Sequence, residues 1–154
     1  MGEQLTIAIA VSSGGVVIHR NKVLLLYRNQ HGKYMGWVMP KGAVEQNETH
    51  KQAALREVKE ESDVTAHVQK YLGHTQYSFR SIASRVQKTV HWYLMTTDSF
   101  YCRPQAEEFF ADVGFYKQHE AYHLLKFNDE RQIMRRAFAA YENGNIKSFY
   151  KMKG

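Results

Sequence analysis

The amino-acid sequence predicts an α+β fold, and three observations lead to this prediction. Short apolar stretches bounded by turn residues fill the first third of the chain, as strands do. One amphipathic and strongly acidic segment follows them, and two further helical segments come near the end. Strands combined with one central helix and with helices at the end are typical of a mixed sheet covered by helices.

The first elements are expected to be strands. Residues 5–11 are apolar and β-branched, and we expect Gly14-Gly15 to break the strand there. Residues 16–19 and 22–28 are apolar runs on either side of Arg20-Asn21. Two such runs joined by a short polar turn predict a β-hairpin.

A loop, a short strand and the acidic helix come next. Residues 29–36 are polar and contain glycine, which favours a loop, and residues 37–39 form a short apolar strand. Pro40 ends it, because proline cannot donate to a strand ladder. We expect residues 41–47 to form a loop and Thr49 to Glu61 to form the helix, whose apolar stripe contains Ala53, Ala54 and Val58.

The second half begins with strands. Residues 64–79 read as one long, bent strand in which Gly73 marks a bulge. Residues 80–87 are basic and are expected to form a loop, and residues 88–96 are largely apolar, as in a central strand. After a linker over 99–106, a last strand is predicted at 109–115.

The chain ends in helices. A short helix is predicted at 120–125, and a longer one, capped by Asn128, is expected to run over 129–142 and to end at Gly144. The basic residues 147–154 are expected to be a flexible tail. A chain of 154 residues suits a single domain, so we expect 1–154 to form one.

Composition restricts the partners and the compartment. A net charge of +6 favours an anionic partner such as a polyphosphate or RNA. The single cysteine, Cys102, cannot form an intramolecular disulfide, which favours the cytoplasm. No apolar run approaches the roughly 20 residues of a membrane span, and no secretory signal is recognisable, so no membrane association is expected. The oligomeric state is left open.

Three glutamates of the acidic helix have the spacing of a magnesium site. Glu57, Glu60 and Glu61 stand at i, i+3 and i+4 and therefore project from one helix face. Their like charges repel, and a hard divalent cation such as Mg²⁺, or Mn²⁺ in its place, would resolve the repulsion. Such an ion keeps positions open for a phosphate oxygen, which predicts phosphate chemistry.

Glu48 and Arg56 are predicted to form an ion pair beside this face. They are eight residues apart, about two helical turns, so the pair would hold the helix against the loop that begins at Gly42. Arg56 precedes Glu57, so we expect its side chain to point about 100° away from the metal face.

Residues 42–64 resemble the Nudix box, G-x5-E-x7-R-E-U-x-E-E-x-G-U with U apolar. Asp63 replaces the last glycine of that pattern; it must adopt a left-handed conformation there, which Asp tolerates better than most residues. The residues in register are Gly42, Glu48, Arg56, Glu57, Val58, Glu60, Glu61 and Val64.

The resemblance extends beyond the box. Residues 37–42 resemble the W-x-x-P-K-G lead-in of Nudix enzymes that cleave diadenosine and diphosphoinositol polyphosphates. Residues 88–95 are similar to the K-x-V-x-x-Y-L-M strand of bacterial diadenosine tetraphosphate hydrolases, and residues 120–127 to a segment near their C-terminus. The resemblance implies an α/β/α sandwich with a mixed β-sheet.

The family resemblance also implies residue roles. The implied metal ligands are Glu57, Glu60, Glu61, the main-chain carbonyl of Lys41, and the downstream Glu108. Glu48 and Arg56 would complete the catalytic group. The general base could be Glu57, Glu61 or a downstream glutamate, Glu107 or Glu108, and these last two rank below the box glutamates because their spacing to Phe115-Tyr116 departs from the family's. Lys41 and Lys88 are candidates for binding substrate phosphate, and the aromatic candidates for substrate contacts are Tyr77, Phe79 and Phe127.

Several functions fit these residues. The leading hypothesis is Mg²⁺-dependent hydrolysis of a nucleoside diphosphate linked to another group, above all a dinucleoside polyphosphate such as diadenosine tetraphosphate. A nucleoside triphosphate pyrophosphatase is an alternative, and so is an RNA 5′-pyrophosphohydrolase, for which Arg80, Arg85, Lys88 and the basic tail would bind the strand. A further hypothesis is a protein that senses nucleotides without turnover. The complete set of box glutamates weighs against it, because a pure binding protein has no need of them.

A remote alternative is a zinc metalloprotease. His119, Glu120 and His123 form a literal H-E-x-x-H, which on a helix would present two imidazoles to zinc with the glutamate as base. No third zinc ligand follows at the expected spacing, and an ordinary amphipathic helix explains the same residues.

Overall fold

A computed structural model describes residues 6–153, with the side chains of 6–107 and 109–144. Within that part the chain forms one seven-stranded mixed sheet and three helices, in agreement with the predicted α+β class. The strands are β1 (Thr6–His19), β2 (Lys22–Gln30), β3 (Tyr34–Val38), β4 (Lys41–Ala43), β5 (His67–Arg80), β6 (Ser84–Thr96) and β7 (Phe110–Lys117); the helices are α1 (His50–Ser62), α2 (Gln118–Leu124) and α3 (Asn128–Lys153).

The sheet separates two cores, which makes the fold an α/β/α sandwich. Its strands follow the order β3-β2-β1-β6-β5, with β4 paired to β1, β7 paired to β2, and β1 parallel to β6. Alternate residues of a strand face opposite sides: Val16 and Ile18 of β1 pack toward α2 and α3, whereas Val17 packs toward α1. The sheet therefore holds α1 on one face and α2 and α3 on the other.

The predicted hairpin is present, but the predicted break at the glycine pair is wrong. Ile18 pairs with Val23 across the turn, in which Arg20 and Asn21 both have positive φ. β1 continues through Gly14, where a Cβ would lie 2.5 Å from the Pro40 carbonyl oxygen. Glycine is needed there because another part of the backbone approaches closely, and the strand does not end.

The predicted loop 29–36 is shorter than expected, because β2 runs to Gln30 and β3 already begins at Tyr34. Two further predicted loops contain strands. Within the predicted loop 41–47, β4 pairs with β1 in register Gly14 to Lys41 and Ser13 to Gly42. Within the predicted basic loop 80–87, β6 already begins at Ser84. In both places the chain pairs with β1, a contact distant in sequence that overrides the local polar composition. The predicted bulge at Gly73 is confirmed by a register shift in β5.

α1 is bounded as its sequence predicts. Thr49 is the N-cap, and its hydroxyl accepts a hydrogen bond from the Gln52 backbone N–H at 3.1 Å. Asp63 is the C-cap in the left-handed conformation, with φ 58° and ψ 22°. Asp63 thus ends the helix in a left-handed conformation, the role that glycine has in the family pattern.

α3 does not end at Gly144 as we predicted but runs to Lys153. A glycine inside a helix costs roughly 1 kcal/mol, which does not prevent the helix from continuing. The side chains of the basic tail 147–154 lie outside the described residues, and its flexibility stays a prediction. Within the described residues, no helix has the length and apolar character to cross a membrane.

Candidate active site

Two glutamates of α1 line a cavity of about 400 Å³ between the helix, β4 and the chain just before β7. Glu57 and Glu61 are 8% and 6% exposed, which is rare for carboxylates. They are one turn apart and reach the cavity together. Its other polar residues are Arg28, Lys41, Lys88 and Glu107.

Glu60 does not line this cavity, although the spacing predicts that it shares a face with Glu57 and Glu61. Its side chain is 45% exposed, and its Oε2 accepts a hydrogen bond from Arg56 Nη1 at 3.2 Å. Within the described part of the chain, no three His, Cys, Asp or Glu side chains are grouped closely enough to hold a metal ion. The two buried carboxylates therefore lie together in the cavity, and Glu60 lies outside it.

Arg56 contacts the acidic face, so our expectation that it points away from that face is wrong. Its Nη1 donates to Glu57 Oε1 at 2.8 Å, in addition to Glu60. The backbone does direct the Cβ of residue 56 away from residue 57, but the long arginine side chain brings the guanidinium back over the helix surface.

The predicted Glu48–Arg56 pair is present. Hydrogen bonds from Arg56 hold the pKa of Glu48 at about 2, well below its usual range. Arg56 Nη2 also donates to the Ala43 carbonyl oxygen at 2.8 Å. The guanidinium therefore joins α1 to the end of β4 and to the loop that follows it.

Gly42 and Lys41 bring the backbone of β4 against the carboxylates. A Cβ on Gly42 would overlap the carboxylate of Glu57, so only glycine leaves room for that side chain. The backbone N–H of Lys41 donates to Glu61 Oε2 at 3.3 Å. Buried carboxylate oxygens next to a backbone strand are hard donors, which fit Mg²⁺ or Mn²⁺.

Two lysines face the carboxylates in the same cavity. Burial lowers the pKa of Lys41, and the nearby positive charge of Lys88 lowers it further. Burial also lowers the pKa of Lys88, with Arg28 as the next cause. Three cationic side chains crowded into one partly buried space favour an anionic ligand with several charges.

A second cavity, of about 580 Å³, adjoins the first and shares Arg28 and Lys41 with it. All three predicted aromatic contact residues line this second cavity. Tyr77 and Phe79 of β5 have ring centroids 6.2 Å apart, and Phe127 stacks on Tyr34 across 6.0 Å. Each of the three is about half exposed, so none of them belongs to the hydrophobic core.

Four further residues line these cavities, and the sequence predicts only one of them, Glu107; the others are Arg28, Tyr34 and Glu130. Arg28 ends an apolar run, and Glu130 sits in the first turn of a helix, where acidic residues are common without any function. No local signal marks either residue. The side chain of Glu108, predicted as a metal ligand, lies outside the described residues.

The H-E-x-x-H segment is not arranged as a zinc site. It lies on the seven-residue helix α2, where Glu120 Oε1 accepts a hydrogen bond from the Lys117 backbone N–H at 3.1 Å as part of a capping box. The His123 ring packs edge-on against Tyr122. Glu120 therefore has a structural partner, as expected for an ordinary amphipathic helix.

Comparison with known proteins adds independent findings. The family described as NUDIX domain matches residues 10–138. A protein of Mycobacterium tuberculosis (strain CDC 1551 / Oshkosh) named MutT4 is 37% identical over 97 residues. That match covers 63% of this chain and 39% of the relative, so the chain spans about two fifths of the relative's length.

Solved structures share the fold. The C. elegans Ap4A hydrolase in a binary complex superposes with a TM-score of 0.69 and 20% identity, covering 88% of this chain and 98% of its own. A NUDIX hydrolase from Nitrosomonas europaea also reaches 0.69, at 18% identity, covering 85% and 89%. At such identities the similarity extends to the fold alone.

Proposed function

Because this chain belongs to the Nudix family of pyrophosphate-cleaving hydrolases, we propose that it hydrolyses a nucleoside diphosphate linked to another group, above all a dinucleoside polyphosphate. The observation that carries this proposal is the pair of adjoining cavities. One contains buried carboxylates and cations, which suit a metal-bound polyphosphate, and the other is lined by aromatic rings, which suit a base. Lys41 and Arg28 lie at their junction, where the phosphates would meet the nucleoside.

In this proposal Glu57 and Glu61 hold the divalent ion, Mg²⁺ or Mn²⁺, together with the Lys41 carbonyl and with Glu60 once it leaves Arg56. When bound, the ion supplies positive charge to the phosphate oxygens. Lys41 and Lys88 bind the remaining phosphate charge from the side facing the carboxylates. Arg56 and Glu48 keep the helix and the loop in position.

The attacking water must lose its proton to a carboxylate. Glu57, Glu61 and Glu107 all line the cavity, and Glu107 is the one that comes from outside α1. We propose Glu107 as the general base, since it does not have to share its carboxylate with the metal ion. Glu108 is the neighbouring alternative that the family pattern also allows.

A dinucleoside polyphosphate is favoured by two independent features. The lead-in at residues 37–42 and the strand at 88–95 resemble those of diadenosine polyphosphate hydrolases, and the C. elegans neighbour carries the name Ap4A hydrolase. A nucleoside triphosphate pyrophosphatase is the second candidate, because the Mycobacterium relative is named MutT4. An RNA 5′ end is a third, supported by the basic charge. The free thiol of Cys102 supports a reducing location such as the cytoplasm.

A panel assay with purified protein tests the proposal. Dinucleoside polyphosphates, nucleoside triphosphates and 5′-triphosphorylated RNA are incubated with Mg²⁺ or Mn²⁺, and products are identified by chromatography. We expect cleavage of an anhydride bond in the first class, lost on chelation and in Glu57→Gln. Turnover confined to another class would replace the proposed substrate, and no turnover of any member would refute the proposal.

A further inference from the structure

Glu130, in the first turn of α3, is a buried carboxylate with an unused oxygen. The residue is only 8% exposed. Its Oε2 has no hydrogen-bond partner within the described part of the chain. Burial raises the pKa of Glu130 to about 6, and the nearby positive charge of Lys41 opposes this rise only in part. Burying an acceptor without a donor costs free energy unless a ligand supplies the donor.

Glu130 lines the aromatic cavity, and so do two buried donors in the same condition. These are the Arg28 Nε–H and the Tyr34 hydroxyl, both buried and without a partner among the described residues. One cavity thus contains a carboxylate acceptor and two donors, none of which has a hydrogen-bond partner among the described residues. Buried polar groups in proteins are nearly always hydrogen-bonded, and these three can together offer one acceptor and two donors to the polar edge of a ligand.

The aromatic rings around these polar atoms indicate that the ligand is a flat base. Tyr77 and Phe79 lie on β5, and the Tyr34–Phe127 stack joins β3 to the residue that precedes α3. Bases extracted from a helix are held in the same way, by stacking on aromatic rings and by hydrogen bonds to the edge of the base. The volume of about 580 Å³ is ample for a purine nucleoside.

We propose that Glu130 determines base specificity by accepting hydrogen bonds from the adjacent N1–H and N2–H groups of a guanine. An ionised carboxylate offers two acceptors side by side and no donor, which matches that edge. The Tyr34 hydroxyl and Arg28 Nε–H then serve the O6 and N7 acceptors of the same base. This inference rests on the proposed function and adds to it that guanine nucleotides are preferred over adenine nucleotides.

Adenine fits the same atoms less well. Its amino group can donate to one carboxylate oxygen, but its N1 is an acceptor and would face the other oxygen. Hypoxanthine keeps N1–H and lacks the 2-amino group, so it should bind with intermediate affinity. An amide at position 130 reverses the pattern, because glutamine both donates and accepts, as adenine requires.

The experiment measures binding of GMP, IMP and AMP by calorimetry, in parallel with kcat/KM for diguanosine and diadenosine tetraphosphate. Monophosphates contain no anhydride bond, so binding is read independently of turnover. The variant is Glu130→Gln, and the matched control is Glu142→Gln, an exposed glutamate of the same helix. We expect the parent to bind GMP at least about tenfold more tightly than AMP, with IMP between them.

Glu130→Gln should reduce the GMP-to-AMP affinity ratio and the matching kcat/KM ratio about tenfold or more, and the control should leave both unchanged. Equal affinities of the parent for GMP and AMP would overturn the inference. Equal weakening of all three nucleotides in the variant would also overturn it, and would indicate that Glu130 binds the ribose and not the base. If GMP is preferred but no anhydride bond is cleaved, the proposed function fails and the base site stands.

Discussion

Arg56 binds Glu48 through two parallel hydrogen bonds, from Nε to Oε2 at 2.7 Å and from Nη2 to Oε1 at 2.9 Å. Side-by-side geometry of this kind is the strongest form of an arginine–carboxylate pair. The same guanidinium also contacts the Ala43 carbonyl oxygen and Glu57. Arg56 is therefore a positioning residue that ties the loop, the helix and a candidate metal ligand together.

Arg56→Ala should lower both the melting temperature and kcat/KM, the latter by about 10–100-fold, the usual loss for residues that support a metal ligand. Arg56→Lys should recover less than half of the loss, since a lysine cannot make the paired hydrogen bonds. A double-mutant cycle with Glu48→Ala checks the pairing by thermal denaturation. Additive effects of the two substitutions would show that the pair is not coupled.

Glu57→Gln and Glu61→Gln should each lower kcat by about a hundredfold or more, because each removes a charged ligand from the cavity. Glu60→Gln tests whether Glu60 joins them. An equally large loss is expected if Glu60 leaves Arg56 when the ion binds, together with a weaker affinity for Mn²⁺ measured by electron paramagnetic resonance. A near-normal kcat and Mn²⁺ affinity would remove Glu60 from the ligand set.

Gly42→Ala should abolish most activity while leaving the protein folded. The new methyl group would overlap the Glu57 carboxylate and push it out of the cavity. We expect a loss of about tenfold or more in kcat/KM, with a far-ultraviolet circular dichroism spectrum like that of the parent. Gly144→Ala is the matched control, because a Cβ at position 144 meets no neighbouring atom. Gly32→Ala is unsuitable, because Gly32 has a positive φ. Unchanged activity in Gly42→Ala would contradict the close approach of Gly42 to the Glu57 carboxylate.

Glu130→Gln should stabilise the protein at pH 8. Burial raises the pKa of Glu130 from its ordinary value of 4.5 to about 6, so the fold favours the protonated acid and loses stability as pH rises through 6. This rise of the pKa corresponds to at most about 2 kcal/mol of unfolding free energy gained when the charge is removed. Urea denaturation at pH 8 and at pH 4 measures it. A gain of the same size at both pH values would show that burial of the charge is not its cause.

His119→Ala should leave kcat/KM within about twofold of the parent, because His119 lies on α2 and lines neither cavity. The purified protein should contain no stoichiometric zinc by elemental analysis. Stoichiometric zinc that disappears in His119→Ala would revive the protease alternative.

The local features of the site were predictable from the sequence. Helix geometry alone brings Glu57 and Glu61 to one face, and Thr49 and Asp63 end the helix through bonds within a few residues. Such features depend on contacts between near neighbours in the chain, and the residue types report them directly. The hairpin at Arg20-Asn21 was predictable for the same reason.

Tertiary structure decided the rest. Gly14 lies inside β1 because its neighbours β4 and β6 pair there and glycine leaves room for the Pro40 carbonyl, and Ser84 is in a strand because β6 pairs with β1. Glu130 lines the same cavity as Arg28, about a hundred positions away, only because α3 packs on the sheet. Contacts between distant segments fix the burial and the partners of a side chain, and a polar residue of ordinary sequence context acquires its chemistry from them.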